Sequence, residues 1–283
     1  MEIYETKSAL RAALPDLRAG GTLGLVPTMG YLHEGHLALI RAARARCDRV
    51  IASIYVNPTQ FGDAEDLAKY PRDTDRDLAL LRAEGVDAVF LPDPDGMYDP
   101  AAQTIVETTE LASRLMGALR PGHFRGVATV VTKLFNLVQP ERAFFGEKDY
   151  QQLLVIRTMV RDLDMAVEIT GVPTQREPDG LAMSSRNVRL TPGQRAAAPV
   201  IAASLDRAEA MLRADPQTSV EALAAEIEAH LVAEPLARTE SVDIQDAATL
   251  ADLSGPLTGP AVILLAVRFD PVLLIDQRVV SPA

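Results

Sequence analysis

The stretch from Leu23 to Ala43 constrains the fold of this chain more than any other. A short apolar run, Leu23-Gly24-Leu25-Val26, leads into Pro27-Thr28-Met29-Gly30-Tyr31-Leu32-His33-Glu34-Gly35-His36, after which Leu37, Leu39, Ile40 and Ala43 recur at helical spacing. That order predicts a strand, a tight turn and a helix. His33 and His36 stand three residues apart, so a helical first turn sets them on one face. At that end the unpaired backbone N–H groups and the helix dipole already favour an anion. Two imidazoles add side-chain donors, and Gly35 lets a bulky ligand approach the backbone. The combination suits phosphate. Two other readings stand beside it, a solvent-facing histidine pair and a pair of zinc ligands. Zinc pairs usually fall at i, i+4 with further ligands nearby, whereas this chain has one cysteine, Cys47. Of its four histidines (His33, His36, His123 and His230), two fall in this turn, which favours the nucleotide reading.

Around this stretch, strand-like and helix-like segments alternate. A helix is predicted over Ser8–Arg18, capped by Thr6 or Ser8 and stopped by Gly20-Gly21. Leu23–Val26 reads as a strand, His33–Arg46 as a helix, and Val50–Val56 as a central strand ended by Asn57-Pro58. A helix over Asp73–Glu84 and strands at Ala88–Leu91 and, on an edge, Thr104–Glu107 follow. Next come a helix over Val127–Val138, a strand at Ala143–Phe145, a helix over Asp149–Asp162 and a strand at Val167–Val172. The pattern is α/β, a Rossmann-like doubly wound parallel sheet. Such a sheet places its ligand at the carboxyl ends of its strands. The histidine turn, the Asn57–Phe61 loop and the Gly146–Gln152 turn all fall there.

After a polar loop at Gly180–Arg186 the pattern changes. Thr191-Pro192 opens one long Ala-rich helix to about Ala214, and a second helix covers Ser219–Ala233. Three β-rich runs follow, Ser241–Asp246, Ala261–Phe269 and Leu273–Asp276. These predict a smaller C-terminal α+β domain, with a boundary near 171–176 and domains of 1–173 and 174–283.

The chain has 283 residues, 28 of them basic and 39 acidic, for a net charge of −11. That balance argues against a broad phosphate-backbone footprint, so no nucleic-acid partner is expected. No apolar run nears the ~20 residues of a membrane span, and the start lacks a leader pattern. With a single cysteine, these features predict a cytoplasmic protein without disulfides. An anionic ligand must then meet local cations. The chain has only four lysines, Lys7, Lys69, Lys133 and Lys148, and around phosphate lysine and arginine are not interchangeable.

His33-Glu34-Gly35-His36 after a strand resembles the signature of the nucleotidyltransferase superfamily, which includes class I aminoacyl-tRNA synthetases. Four more stretches narrow this: Val56-Asn57-Pro58-Thr59-Gln60-Phe61, Arg120-Pro121-Gly122-His123-Phe124-Arg125-Gly126, Gly146-Glu147-Lys148-Asp149-Tyr150-Gln151-Gln152 and Met183-Ser184-Ser185-Arg186-Asn187. In this order they resemble the pantoate–β-alanine ligase family, from about Val26 to the C-terminus. The resemblance implies ATP-dependent condensation of pantoate with β-alanine to give pantothenate, AMP and pyrophosphate through a pantoyl adenylate. It also implies Mg²⁺ alongside ATP, and a homodimer. It casts Met29, Gly30, Tyr31, Leu32, His33, Glu34, Gly35 and His36 as one wall of the ATP site. There His36 donates to phosphate oxygens in the transition state and His33 assists. Gly146, Glu147, Lys148 and Asp149 would hold the nucleotide, with Lys148 on the phosphates. Met183, Ser184, Ser185 and Arg186 match the superfamily's phosphate loop, and Gln175 a nucleotide-contacting position that is expected to be apolar in many relatives. Gln60 and Gln152 match positions that bind pantoate, Gln60 also lying near β-alanine. Asp75 and Asp77 are candidates for helping to place magnesium, and Arg120, His123 and Arg125 could close over the site.

The chemistry agrees with the residue types. A carboxylate resists amine attack because its leaving group is poor, and transfer to the α-phosphate of ATP removes that obstacle. Such a site needs convergent donors and cations but no protein nucleophile. Two further readings are open: another adenylating or nucleotidyl-transferring enzyme of this fold, and a nucleotide sensor without catalysis. A sensor would tolerate the loss of His36 or Lys148, yet both are present.

Overall fold

Six parallel strands make one sheet: β1 (Glu2–Tyr4), β2 (Leu23–Thr28), β3 (Arg49–Ile54), β4 (Ala88–Phe90), β5 (Arg142–Gly146) and β6 (Glu168–Val172), in the spatial order β1-β4-β3-β2-β5-β6. The computed structural model describes residues 1–62 and 64–282. β2 pairs with β3 on one side and β5 on the other, so the winding reverses between β2 and β5. That reversal is the switch point at which a doubly wound sheet opens a crevice.

Register explains how both faces are covered. Val26, Ala52 and Val89 align across neighbouring strands, and Phe144 continues the row. On this face they pack with Leu39, Ile40 and Ala43 of α2 (Glu34–Arg44, after α1 at Lys7–Arg18). Leu78 and Leu81 of α4 (Thr74–Ala83, after the short α3 at Ala64–Ala68) join the same cluster. The intervening strand residues face the other way. There Phe145 meets Phe135 edge-on, ring centroids 6.5 Å apart. Phe135 lies on α6 (His123–Val138, after α5 at Met116–Leu119), so helices cover both faces. The helix α7 (Tyr150–Asp162) lies between β5 and β6 in the chain. The chain divides into two compact units, Met1–Gly146 with Val155–Pro173, and Glu147–Leu154 with Thr174–Ala283.

In the second unit β7 (Arg238–Asp246), β8 (Ala261–Phe269) and β9 (Val272–Val280) form an antiparallel sheet, order β7-β8-β9. Three helices precede it: α8 (Pro192–Ala197), α9 (Val200–Ala214) and α10 (Val220–Val232). Leu205 and Ala208 of α9 and Leu223 and Ile227 of α10 pack on Ile263, Leu265 and Val267.

The structure corrects the predicted elements at several places. Thr104–Glu107 is not a strand. Its backbone is held by a side chain instead, with Val106 N donating to Thr129 Oγ1 at 3.0 Å. The single helix expected from Thr191 to Ala214 is two, because Pro199 lacks an N–H and its ring crowds the preceding turn. β1 is a strand of three residues, too short for a period to register. α6 begins at His123 rather than Val127, entered through Gly122 at φ 81°.

Phe144 is fully buried on β5, between β2 and β6. Phe144→Ala should therefore destabilise by about 3–5 kcal/mol, read as a lower urea midpoint.

Candidate active site

The turn leaving β2 is held in a backbone shape that most residues avoid. Gly30 has φ +78° and Tyr31 φ +50°. A Cβ on Gly30 would lie 2.9 Å from Asp77 Oδ2 and 3.0 Å from Ile54 Cγ2, so this position requires glycine. Tyr31 carries a positive φ, a cost on the order of 1–3 kcal/mol that its surroundings must offset. They do so through Asp77 on α4, whose two oxygens accept the N–H groups of Tyr31 and Leu32, each at 2.7 Å. Asp77 is 1% exposed. Burial pushes its carboxyl above the ordinary range, and the two N–H bonds pull the other way.

The same turn sets the state of both histidines. His33 is the N-cap of α2, and its Nδ1 accepts the Gly35 N–H at 3.1 Å. His36 reaches back, its Nδ1 accepting the His33 N–H at 3.3 Å. A ring nitrogen that accepts carries no proton, so we assign the proton of each neutral ring to Nε2. The rings lie 4.1 Å apart, centroid to centroid. The two therefore present Nε2–H donors side by side at a helix N-terminus, and neither needs a positive charge to donate. Met29, Glu34 and Gly35 complete the segment, with Glu34 exposed.

The Asn57–Phe61 loop lies beside this turn. Gln60, 8% exposed, directs Nε2 to Met29 Sδ at 3.3 Å. Its Oε1 accepts from Asn57 Nδ2 at 3.0 Å. Backbone groups meet the Asn57 amide at both ends, where Nδ2 donates to Gly126 O at 3.1 Å and Oδ1 accepts the Thr59 N–H at 3.4 Å, and Oδ1 also accepts the Thr59 hydroxyl at 2.9 Å. Gly126 permits this approach, since a Cβ there would lie 2.5 Å from Thr59 O. His123 Nδ1 is 2.8 Å from Gln60 O. Arg120 is 3.8 Å from Asp66, and Arg125 is exposed. Asn57, expected as the stop of a strand and as part of the Val56–Phe61 motif, thus also holds the Gln60 amide, and His123 lies against the backbone carbonyl of Gln60. A polar residue before proline marks a turn; it does not reveal which side chains the turn will orient.

In the second unit, Glu147, Lys148 and Asp149 form one 3₁₀ turn, with Lys148 half-buried and Asp149 exposed, and Gln152 is half-buried on the first turn of α7. Gly146 ends β5 in the first unit. Gln175 and Met183 face each other across a hairpin closed by Met183 N–H to Gln175 O at 2.9 Å. Arg176 ties that hairpin to the buried Asp276 through two bonds of 2.6 and 3.0 Å. The loop after it is a compact turn: Ser184 Oγ accepts the Arg186 N–H at 3.2 Å, and Ser185 is buried.

Asp75 is exposed on the first turn of α4, and both oxygens of Asp77 already accept backbone N–H groups. Among the described residues no three His, Cys, Asp or Glu side chains cluster to hold a cation. Asp77, expected to help place magnesium, braces the turn through both of its oxygens.

A doubly wound parallel sheet, with two imidazole donors at a helix N-terminus beside its switch point, is the architecture of a nucleotide-handling α/β enzyme. Comparison with known proteins narrows the class. The model of the family described as pantoate-beta-alanine ligase matches residues 2–279. A pantothenate synthetase from Agrobacterium fabrum is 52% identical over 99% of this chain and 96% of its own length. One from Chloroflexus aggregans is 57% identical over 98% of this chain and 99% of its own length. The crystal structure of the pantothenate synthetase from Thermus thermophilus has a TM-score of 0.92, with 49% identity, 98% of this chain and 99% of that chain covered. A Francisella tularensis pantoate-beta-alanine ligase complexed with beta-gamma ATP and beta-alanine has a TM-score of 0.78, at 33% identity and with both chains fully covered. The chain belongs to the pantoate–β-alanine ligase family, and it is a ligase that forms the carbon–nitrogen bond between pantoate and β-alanine.

Asp77→Asn separates the two roles considered for this residue. An amide has one acceptor oxygen, and its NH₂ would oppose a backbone N–H, a loss of about 1–3 kcal/mol. The expected outcome is a lower melting temperature with an unchanged magnesium requirement; a raised magnesium requirement at unchanged stability would restore the metal role.

Proposed function

We propose that this ligase works through ATP in two steps and that the residues above carry them. A carboxylate oxygen of pantoate bonds to the α-phosphorus of ATP, the bond from that phosphorus to the β-phosphate oxygen breaks, and pyrophosphate leaves. The β-alanine nitrogen then bonds to the acyl carbon of the pantoyl adenylate. The acyl carbon–oxygen bond breaks, AMP departs, and the nitrogen loses a proton. Catalysis is positioning plus stabilisation of phosphate charge.

In this reading His36 donates Nε2–H to phosphate oxygens as charge develops, and His33 assists from the adjacent ring. The observation that carries it is the capping box, because it holds both donors in place before ATP arrives. Met29 to Leu32, Glu34 and Gly35 wall the nucleotide, as do Gly146, Glu147 and Asp149. Lys148, Ser184, Ser185 and Arg186 supply cations and hydroxyls for phosphate, while Met183 and Gln175 contact the nucleotide, Gln175 through its backbone. Gln60 and Gln152 bind pantoate. Gln60 does so through its NH₂, since Asn57 holds its carbonyl oxygen. Magnesium would enter on ATP, held by phosphate oxygens and water, with Asp75 as the carboxylate available to its hydration shell. A homodimer and a cytoplasmic location belong to the same proposal. No described helix is long and apolar enough to cross a membrane.

Isotope exchange tests the scheme. Labelled pyrophosphate should enter ATP when pantoate is present and β-alanine absent, because bound adenylate can run backwards. Exchange without pantoate points to a nucleotidyl-enzyme, exchange only with β-alanine to a concerted reaction, and either sinks the proposal. Lys148→Ala should slow this exchange about a hundredfold, since a lost charge-assisted phosphate contact raises the barrier by roughly 3 kcal/mol. Unchanged exchange removes Lys148 from the site.

A further inference from the structure

A phenol lies behind the Gln60 amide. Tyr98 Oη donates to Asn57 Oδ1 at 3.1 Å and lies 3.3 Å from Thr59 Oγ1. Burial pushes this phenol above its ordinary range, which keeps it a neutral donor. Its position is held from both sides. Lys133 Nζ sits 5.1 Å from the ring centroid, and Lys7 Nζ donates to the carbonyl of the fully buried Met97 at 2.8 Å. Two of the chain's four lysines are thus engaged by one dipeptide.

From this geometry we propose that Tyr98 is a positioning residue for pantoate, acting through Asn57 to fix which end of the Gln60 amide meets the substrate. The chain of donors has one direction. The Tyr98 hydroxyl gives its proton to Asn57 Oδ1, Asn57 Nδ2 gives one to Gln60 Oε1, and Gln60 is left with its NH₂ outward. Among the described residues, that NH₂ has only the thioether of Met29 as partner. A thioether is a weak acceptor, which a carboxylate or hydroxyl oxygen displaces at little cost. A reversed Gln60 amide would present a carbonyl oxygen to pantoate's carboxylate and set two NH₂ groups against each other at Asn57. Tyr98 opposes that reversal because its proton, with the Thr59 hydroxyl at 2.9 Å and the Thr59 N–H, keeps the Asn57 oxygen on its own side, and of these three donors it alone comes from outside the loop. The proposal rests on the reading that Gln60 binds pantoate.

The test is a double-mutant cycle on pantoate and ATP binding by calorimetry, with Tyr98→Phe, Gln60→Ala and both together. Tyr98→Phe keeps the ring under Lys133 and removes only the hydroxyl. Losing one neutral hydrogen bond should weaken pantoate about fivefold and leave ATP unchanged. In the Gln60→Ala background the same change should have little further effect, because neighbours acting on one interaction are not additive. Equal weakening in both backgrounds, or parallel loss of ATP affinity, marks Tyr98 as merely structural and overturns the proposal. Unaltered pantoate affinity in Tyr98→Phe, with Gln60→Ala impaired, overturns it while sparing Gln60. If Gln60→Ala itself binds pantoate normally, the underlying reading falls and the relay with it. A ligand-free readout covers the case in which Gln60→Ala binds too weakly to measure. The side-chain amide resonances of Asn57 and Gln60 should shift in Tyr98→Phe while the backbone spectrum elsewhere holds, and unshifted resonances refute the relay.

Discussion

The bond pair from the Asp77 carboxylate to the backbone N–H groups of Tyr31 and Leu32 is the constraint on which the nucleotide side of this structure depends. A carboxylate taken out of water is costly unless its oxygens are hydrogen-bonded. Here the burial and the bonds need each other. The N–H groups keep the charge tolerable, and the charge holds the chain at positive φ where β2 must turn abruptly into α2. Without that turn His33 would not sit at the N-cap, and the two imidazoles would not be locked by backbone N–H groups.

The same logic recurs at each donor that faces substrate. His33 and His36 have their proton positions set by main-chain donors, and the Gln60 amide has its sense set by Asn57, itself fixed by Gly126 O and Thr59 N–H. Each chain of bonds ends on backbone groups, which have few alternatives, with the Thr59 and Tyr98 hydroxyls adding to the hold on Asn57. A reaction without a protein nucleophile depends on this arrangement, because donors already aimed at developing charge do not have to reorganise during the step. It also accounts for glycine at Gly30 and Gly126, where a Cβ would push apart groups that must touch.

The periodic parts of the fold were legible. The strands at Leu23, Val50 and Ala143, and the helices between them, follow from burial patterns that repeat within ten residues or so. Local chemistry also carried over where it was self-contained, as in the Thr6 and Thr191 caps. Errors arose where a local preference met a competing local rule or a distant partner. The Ala-rich pattern from Thr191 continued through Pro199, and the β-like run at Thr104–Glu107 met the Thr129 hydroxyl rather than a strand.

For this protein the sequence by itself determined the α/β class, the strand–turn–helix bearing two histidines, and the family, because each is written in residues adjacent along the chain. What only the tertiary structure decided is the purpose of particular polar side chains. Asp77 lies 45 and 46 positions from the N–H groups it receives, Tyr98 41 from Asn57, and Asn57 69 from the Gly126 carbonyl. No period connects such residues. A carboxylate in a first helical turn reads alike whether it will meet a metal, water or a buried amide, until folding places its partner within hydrogen-bonding distance.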